Sequence, residues 1–256
     1  MVFGECGLMD IIIPYHEKDE YTIRACIDSC KKYVQGFENI YILSKNELDY
    51  SDTKWIPEKA FPFTVEDIGR LNPSIRESRR AWYYQQLLKL YLFKVRDDFN
   101  EFLIVDADVV FLNEYSPKVE GKWAYNTHSD IHEPYALNAK LIHPSLVPFD
   151  EKTSGITHAM LFERERLQQL FNRIKRKGQE VWETIISSLK VDLVGEYGGE
   201  GSALSEYDLY FNFIMKEYPT EYIIRETLYE DVRDYKKYLG HKDLVYVANH
   251  SYMRGA

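Results

Sequence analysis

Phe102-Leu-Ile-Val-Asp-Ala-Asp-Val-Val-Phe-Leu112 is the stretch around which the rest of the chain can be ordered. Its four apolar residues, Phe102 to Val105, suit a buried strand or a piece of buried helix. The β-branched content and the return to Val109, Val110 and Phe111 select the strand. Two carboxylates, Asp106 and Asp108, are set into this apolar run. Residues i and i+2 share one face of a strand, and at a strand end they can converge on one point. Carboxylates beside a core are costly unless a cation or hydrogen bonds satisfy them. A divalent metal carrying a diphosphate is the cation this arrangement suggests. The competing reading is a strand end whose aspartates cap the next turn.

Upstream, Asp10-Ile-Ile-Ile-Pro14 reads as a first buried strand ended by Pro14. A helix follows from Asp19 to Val34, with Ile23, Cys26, Ile27, Cys30 and Val34 on one face and Gly36 as its stop. Asn39-Ile-Tyr-Ile-Leu-Ser44 is the next strand. Strand, helix and strand at this spacing form a βαβ unit with a buried parallel pair. Ligands of such sheets sit beyond the carboxyl ends of the strands. Tyr15 to Lys18, Ser44 to Asn46 and Asp106 to Asp108 therefore fall at one shared edge. From Asp49 to Pro73 the chain reads as an extended excursion with a short strand near Trp55-Ile56. Ser78 to Phe93 is a strong helix with Ser78 as its N-cap. Arg79 and Arg80 in its first turn oppose the helix dipole, so they suit either an anionic ligand or surface ion pairs.

Downstream, Lys122-Trp-Ala-Tyr-Asn126 is a strand, and Thr127 to Phe149 reads as a long irregular segment suited to acceptor recognition. Thr153 to Phe162 is a turn feeding a strand. Helices are expected over Arg164 to Lys177, closed by Gly178, over Val181 to Leu189, and from the N-cap Ser205 to Met215. Gly195 to Ser202 is glycine-rich without any phosphate-loop spacing and reads as a flexible connection or flap. Strands at Glu221 to Ile224 and Asp243 to Ala248 close the chain, the latter running into Asn249-His250-Ser251.

The 256 residues suffice for a full core, and 45% hydrophobic with 29% charged residues is ordinary globular composition. A net charge of −9 argues against a nucleic-acid partner, which needs a basic face. The 21 tyrosines suit a cleft that stacks bases or sugars, and equally a tyrosine-rich core. Cys6, Cys26 and Cys30 form no disulfide framework, and Cys26 and Cys30 read as reduced core residues. No apolar run approaches the ~20 residues of a membrane span, and Met1 to Met9, with no basic region or apolar core, is not expected to act as a signal peptide. A cytoplasmic protein is expected, possibly one domain of a longer chain.

Taken together, the first strand with its Pro14-Tyr15 exit, Asp106-Ala-Asp108 and the terminal Asn249-His250 resemble nucleotide-sugar glycosyltransferases of the GT-A fold. Trp82-Tyr-Tyr-Gln-Gln-Leu-Leu-Lys89, Leu103 to Asp108, Ser154-Gly-Ile-Thr-His158 with Met160-Leu-Phe, and Ser205-Glu-Tyr-Asp-Leu-Tyr210 look like one uncharacterised family of bacteria and large DNA viruses. The resemblance covers about residues 10 to 250. It implies an α/β fold of the GT-A (Rossmann-like) type, a mixed, mainly parallel sheet flanked by helices. It further implies a nucleotide-binding half to about residue 112 and an acceptor-binding half beyond, and, for a viral protein, the host cytoplasm.

By the same resemblance, Asp108 would ligate Mn²⁺ or Mg²⁺, Asp106 the ribose or the same metal, and His250 would be a third ligand. Thr157 and His158 would border the sugars. Tyr15, Lys45, Arg79 and Gln86 are candidates for contact with base and diphosphate. Glu206 and Asp208 are the candidate catalytic acids; at i and i+2 on a helix only one should enter the cleft. The implied activity is transfer of a sugar from a UDP-linked donor, galactose ahead of glucose or xylose, to a glycan hydroxyl. A sugar-phosphate nucleotidyltransferase is the enzymatic rival, although Pro14-Tyr15-His16-Glu17 is no glycine-rich phosphate loop. A non-catalytic nucleotide-sugar or glycan-binding module is the rival from another class.

Overall fold

A computed structural model describes residues 8–129, 131–192 and 201–254. Strand β1 (Met9–Pro14) carries Ile11, Ile12 and Ile13, all buried, because neighbours cover both of its faces. Helix α1 (Glu20–Tyr33) packs Ile23, Cys26, Ile27 and Cys30 inward and crosses over to β2 (Phe37–Ser44). Strand β3 (Thr53–Pro57) adds to β2, and the short α2 (Val65–Leu71) starts from a capping box between Thr64 and Asp67. Helix α3 (Glu77–Val95) leads into β4 (Glu101–Val105). The chain then forms β5 (Val109–Phe111), β6 (Lys118–Val119), β7 (Lys122–Thr127), α4 (Glu133–Ile142) and β8 (Ala159–Glu163). Helices α5 (Arg164–Ile174), α6 (Val181–Ser188) and α7 (Glu206–Glu217) follow, then strands β9 (Ile223–Glu226), β10 (Tyr229–Asp231) and β11 (Tyr246–Ala248).

The central sheet has the order β3-β2-β1-β4-β8, parallel except for β8, which runs antiparallel to β4. The mixed, mainly parallel α/β architecture read from the sequence is therefore present. Strand β8 lies beyond residue 112 yet pairs along the whole of β4, with Phe102 opposite Phe162. A second sheet, β10-β11-β5, has β10 parallel and β5 antiparallel to β11. One apolar cluster reaches from Met9 to Tyr246. No helix among the described residues is long and apolar enough to cross a membrane.

Three local expectations change. The stretch Phe102 to Leu112 is two strands of different sheets, and Asp106 to Asp108 forms the turn between them, with the Val109 N–H donating to Asp106 O at 3.0 Å. The long helix begins at Glu77, after Arg76, and its N-cap makes no side-chain hydrogen bond, so Ser78 is not the cap. Thr127 to Phe149 is not irregular throughout, because it contains α4. The buried residues of α4 are Pro134, Asn138 and Ile142, so its inward stripe is only three residues long with a polar amide at its centre and hides from a hydrophobic pattern. Asn138 is satisfied there by Pro134 O at 2.9 Å and the Lys190 N–H at 2.7 Å. Of the glycine-rich loop, residues 195–200 lie outside the described residues. Its end is tied to α3, where Tyr83 Oη donates to Gly201 O at 2.5 Å and Arg79 pairs with Ser202.

Candidate active site

Two strand pairings converge on the Asp106–Asp108 turn. At the end of β4 the Asp106 N–H donates to His158 O at 2.9 Å, which holds His158 at the entrance to β8. At the start of β5 the Asn249 N–H donates to Asp108 O, also at 2.9 Å, and so delivers His250 beyond β11. Asp231 pairs in register with Ala248, so the end of β10 brings a third carboxylate to the same place. Helix α3 supplies Lys89, and Glu206 is the first residue of α7.

The side chains form a dense charge network. Lys89 Nζ lies 2.6 Å from Asp106 Oδ1 and 2.6 Å from Glu206 Oε1, with Lys89 and Glu206 both buried. Tyr207 Oη donates to Asp106 Oδ1 at 3.0 Å. His250 Nδ1 lies 2.8 Å from Asp108 Oδ2, and His158 Nδ1 lies 3.5 Å from Asp106 Oδ2. Burial alone would raise the Asp106 carboxyl, but the Lys89 charge and His158 outweigh it and hold it well below the ordinary carboxylate range. Burial likewise opposes the charge on the two imidazoles. Hydrogen bonds to Asp106 and Asp231 nevertheless bring His158 up to about 9, and those to Asp108 and Asp231 bring His250 up to about 10. Glu206 is raised, chiefly by burial, with Lys89 opposing the shift.

A divalent cation can be tested against these residues directly. Asp108 Oδ1 is buried and has no hydrogen-bond partner among the described residues, although the other carboxylate oxygen is engaged by His250. A buried carboxylate oxygen with no partner among the described residues is available to ligate a cation. Asp106, Asp108 and His158 bring one donor atom each within 4.8 Å of one another, with both carboxylates offering hard oxygen. The residues fit the cation.

The turn opens into a cleft of about 800 Å³ lined by Gln86, Lys89, Thr157, His158, Glu206 and His250 among others. Gln86 is only 3% exposed, and its Oε1 has no partner among the described residues. Thr157 Oγ1 is bonded to Tyr246 Oη at 3.0 Å. A second cavity of about 740 Å³ lies beyond the ends of β1 and β2 and is lined by Tyr15, Lys45, Tyr84 and Leu88. Arg79 and Trp82 border both spaces, the guanidinium stacked 4.5 Å from the indole centroid. Arg80 turns away and packs over Gly69, where a Cβ would meet its guanidinium at 2.5 Å, so the two arginines do not act together.

Glu206 and Asp208 separate as their spacing on a helix demands. Glu206 faces the cleft, whereas Asp208 accepts the Gly155 N–H at 3.0 Å and lies 3.4 Å from Ser154 Oγ. That turn runs close beneath α7: a Cβ on Gly155 would lie 2.3 Å from Phe211 Cβ, so only glycine passes. Lys89, Tyr207 and Asp231 went unread in the sequence. Lys89 had a usable signal, a single cation inside Leu87-Leu-Lys-Leu-Tyr-Leu-Phe93, which burial obliges to find an acid. Asp231, on a three-residue strand behind Glu230, had none.

This topology and cleft define the class of fold, that of the GT-A glycosyltransferases. The chain superimposes on the crystal structure of mouse xyloside xylosyltransferase 1, apo form, with a TM-score of 0.51 over 94% of this chain and 97% of that one, at 10% sequence identity. By sequence the chain belongs to a family of unknown function, DUF6492, which matches residues 10–249. No curated protein matches it.

Proposed function

We propose that this protein is a metal-dependent glycosyltransferase that moves a sugar from a UDP-linked donor to a hydroxyl group of a glycan. The observation that carries the reading is the buried Asp108 Oδ1, unpartnered among the described residues, beside Asp106 in a cleft that shares Arg79 and Trp82 with a neighbouring aromatic-lined cavity. Asp108, with Asp106, would hold Mn²⁺ or Mg²⁺, which when bound offsets the negative charge that grows on the departing diphosphate. Tyr15 and Lys45 are assigned to the nucleobase end, and Arg79 to the diphosphate, where its fork suits paired oxygens. Gln86 and Thr157 are assigned to the sugar hydroxyls, since the free Gln86 Oε1 needs a donor that a sugar supplies.

In the reaction the bond from the anomeric carbon to the diphosphate oxygen breaks and a bond to the acceptor oxygen forms, while the acceptor's proton must leave. Glu206 is the cleft carboxylate assigned to that part of the chemistry, and Lys89 positions it. Asp208 is assigned to the Ser154–Gly155 turn. On this assignment Asp208→Asn keeps transfer activity within about threefold, because the amide oxygen still accepts from the Gly155 N–H. Burial raises the Asp208 carboxyl in the fold, so wild-type stability falls as pH rises from the unfolded-state pKa through the folded one. The asparagine variant escapes that loss, and urea titrations at acid and neutral pH measure the difference. Loss of turnover in a stably folded Asp208→Asn would return Asp208 to the catalytic group.

The neighbour's name makes xylose a donor sugar to test beside galactose and glucose. The deciding experiment incubates the protein with Mn²⁺ and a panel of nucleotide sugars and follows nucleoside diphosphate release. One UDP-sugar is expected to be turned over, with EDTA abolishing the signal. A protein that neither binds nor turns over any donor in any divalent metal is not a transferase of this kind.

A further inference from the structure

Arg254, beyond the end of β11, reaches back across the molecule to the connection from β1 to α1. Its Nε and Nη2 both donate to Asn249 O, at 2.9 and 2.6 Å, while Nη1 donates to Lys18 O at 2.7 Å and Nη2 to Thr22 Oγ1 at 3.2 Å. Nη2 also lies 3.6 Å from Asp19 Oδ1, and the guanidinium packs 5.6 Å from the Tyr21 ring centroid. We infer that Arg254 is a positioning residue. Its guanidinium clasps the turn that carries His250 to the start of α1, and through His250 it sets the affinity of the Asp106–Asp108 site for its cation without touching that cation.

Three observations carry this. The first is what the clasp holds. The Asn249 N–H donates to Asp108 O and its Nδ2 to Val232 O, and Arg254 takes up its carbonyl. His250 is the next residue, and its own carbonyl accepts the Met253 N–H at 3.0 Å. The backbone on both sides of His250 is thereby fixed, with Nδ1 facing Asp108 at 2.8 Å. The second is where the clasp lies. Lys18 and Asp19 line the cleft on one side of it, and His250, Ser251 and Tyr252 on the other. The bond to Lys18 O, 236 residues away in sequence, therefore sets the spacing of two stretches of one cleft wall. The third is what the clasp leaves alone. Strand β11 pairs with β10 and β5 as far as Ala248, so the sheet is made upstream of Arg254, and what the guanidinium adds is the placement of the turn after it.

Arginine suits this task because its planar fork presents N–H donors in fixed directions, here toward Asn249 O, Lys18 O and Thr22 Oγ1 at once. Thr22 Oγ1 is able to accept because it gives its own proton to Asp19 O at 3.0 Å. Asp19 is buried, and burial pushes its carboxyl up to about 6, with Lys18 and Arg254 opposing the shift. The same guanidinium thus offsets a carboxylate that the fold has withdrawn from water. The role assigned to Arg254 rests on the metal reading of the site but not on sugar transfer, because metal binding is read without any donor.

The test is Mn²⁺ binding to the whole protein, followed by the paramagnetic resonance signal of the free ion. Arg254→Met keeps the stem and removes every donor. It should weaken Mn²⁺ about tenfold, the lower end of the roughly 10–100-fold that loss of an outer-shell partner costs. Arg254→Lys, a point charge without the fork, should fall between that variant and wild type. A double-mutant cycle gives the readout that a merely structural role would not move. In a His250→Ala background, Arg254→Met should change Mn²⁺ affinity by less than about twofold, because its effect passes through His250. Hydrogen exchange needs no metal: it should rise together over residues 18–22 and 249–254 of Arg254→Met while β11 stays protected, which also shows that the variant is folded. Unchanged Mn²⁺ affinity in Arg254→Met would overturn the proposal with the metal site intact, and weaker UDP binding alongside it would make Arg254 a nucleotide contact instead. An equal loss of Mn²⁺ affinity with and without His250 would also overturn it. A wild type that binds no Mn²⁺ would overturn the metal reading and the clasp together.

Discussion

Asp108→Ala lowers metal-dependent nucleoside diphosphate release by about 10²–10³-fold, the range seen when one preorganised electrostatic contact to developing charge is removed. The substitution deletes the only carboxylate oxygen of the turn that is buried and unpartnered among the described residues. It also removes the anion that faces His250 Nδ1 at 2.8 Å. Two readouts separate the role from a folding defect. Saturating Mn²⁺ raises the melting temperature of wild type by mass action, and this rise disappears in the variant. The metal-free melting temperature falls, because the His250 partner that, against burial, holds the Asp108 carboxyl below its ordinary range outweighs the repulsion from Asp106, and a cooperative melt at that lower temperature shows that the variant still folds. A variant that keeps full metal-dependent turnover would place the cation elsewhere, whether or not the protein transfers sugar.

Lys89→Met is the substitution with the largest expected cost in stability, about 3–5 kcal/mol, the usual result of removing one partner from a buried ion pair. Methionine fills the stem's space but leaves Glu206 Oε1 and Asp106 Oδ1 without the ammonium that lies 2.6 Å from each. Chemical denaturation with a constant m-value measures this loss. The double variant Lys89→Met with Glu206→Leu should recover part of it, because Glu206 is then no longer a buried charge without a partner, while Asp106 keeps only Tyr207 and His158. Activity should fail in both, since both lack the arrangement that places the cleft carboxylates. If Lys89→Met were as stable as wild type, the buried triad would not be the constraint that joins α3, the aspartate turn and α7.

Much of the fold is legible in the sequence because its strands are buried on both faces. Runs such as Ile11-Ile-Ile13 and Phe102 to Val105 identify themselves with no partner in view, and the helix between β1 and β2 requires the parallel pairing. Helix α4 is not legible in the pattern because the middle of its inward stripe is Asn138, whose burial is offset by a bond to Pro134 O within the helix and by the Lys190 N–H from the tertiary structure. The start of α3 lies one position ahead of the Ser78 cap signal because no side chain caps it.

For the site, the sequence by itself determined the pair Asp106 and Asp108, since carboxylates set into a strand-forming apolar run need a partner of opposite charge wherever the rest of the chain lies. It also marked His250 and Glu206 as candidates. Only the tertiary structure decided the partners. The register of β10, β11 and β5 brings Asp231, His250 and Asp108 together from positions more than a hundred residues apart in the extreme. The helical offset between Glu206 and Asp208 turns one acid to the cleft and the other to the Gly155 turn. Local sequence carries the cost of burying a charge, but the identity of the group that offsets it depends on distances that exist only once the sheets have closed.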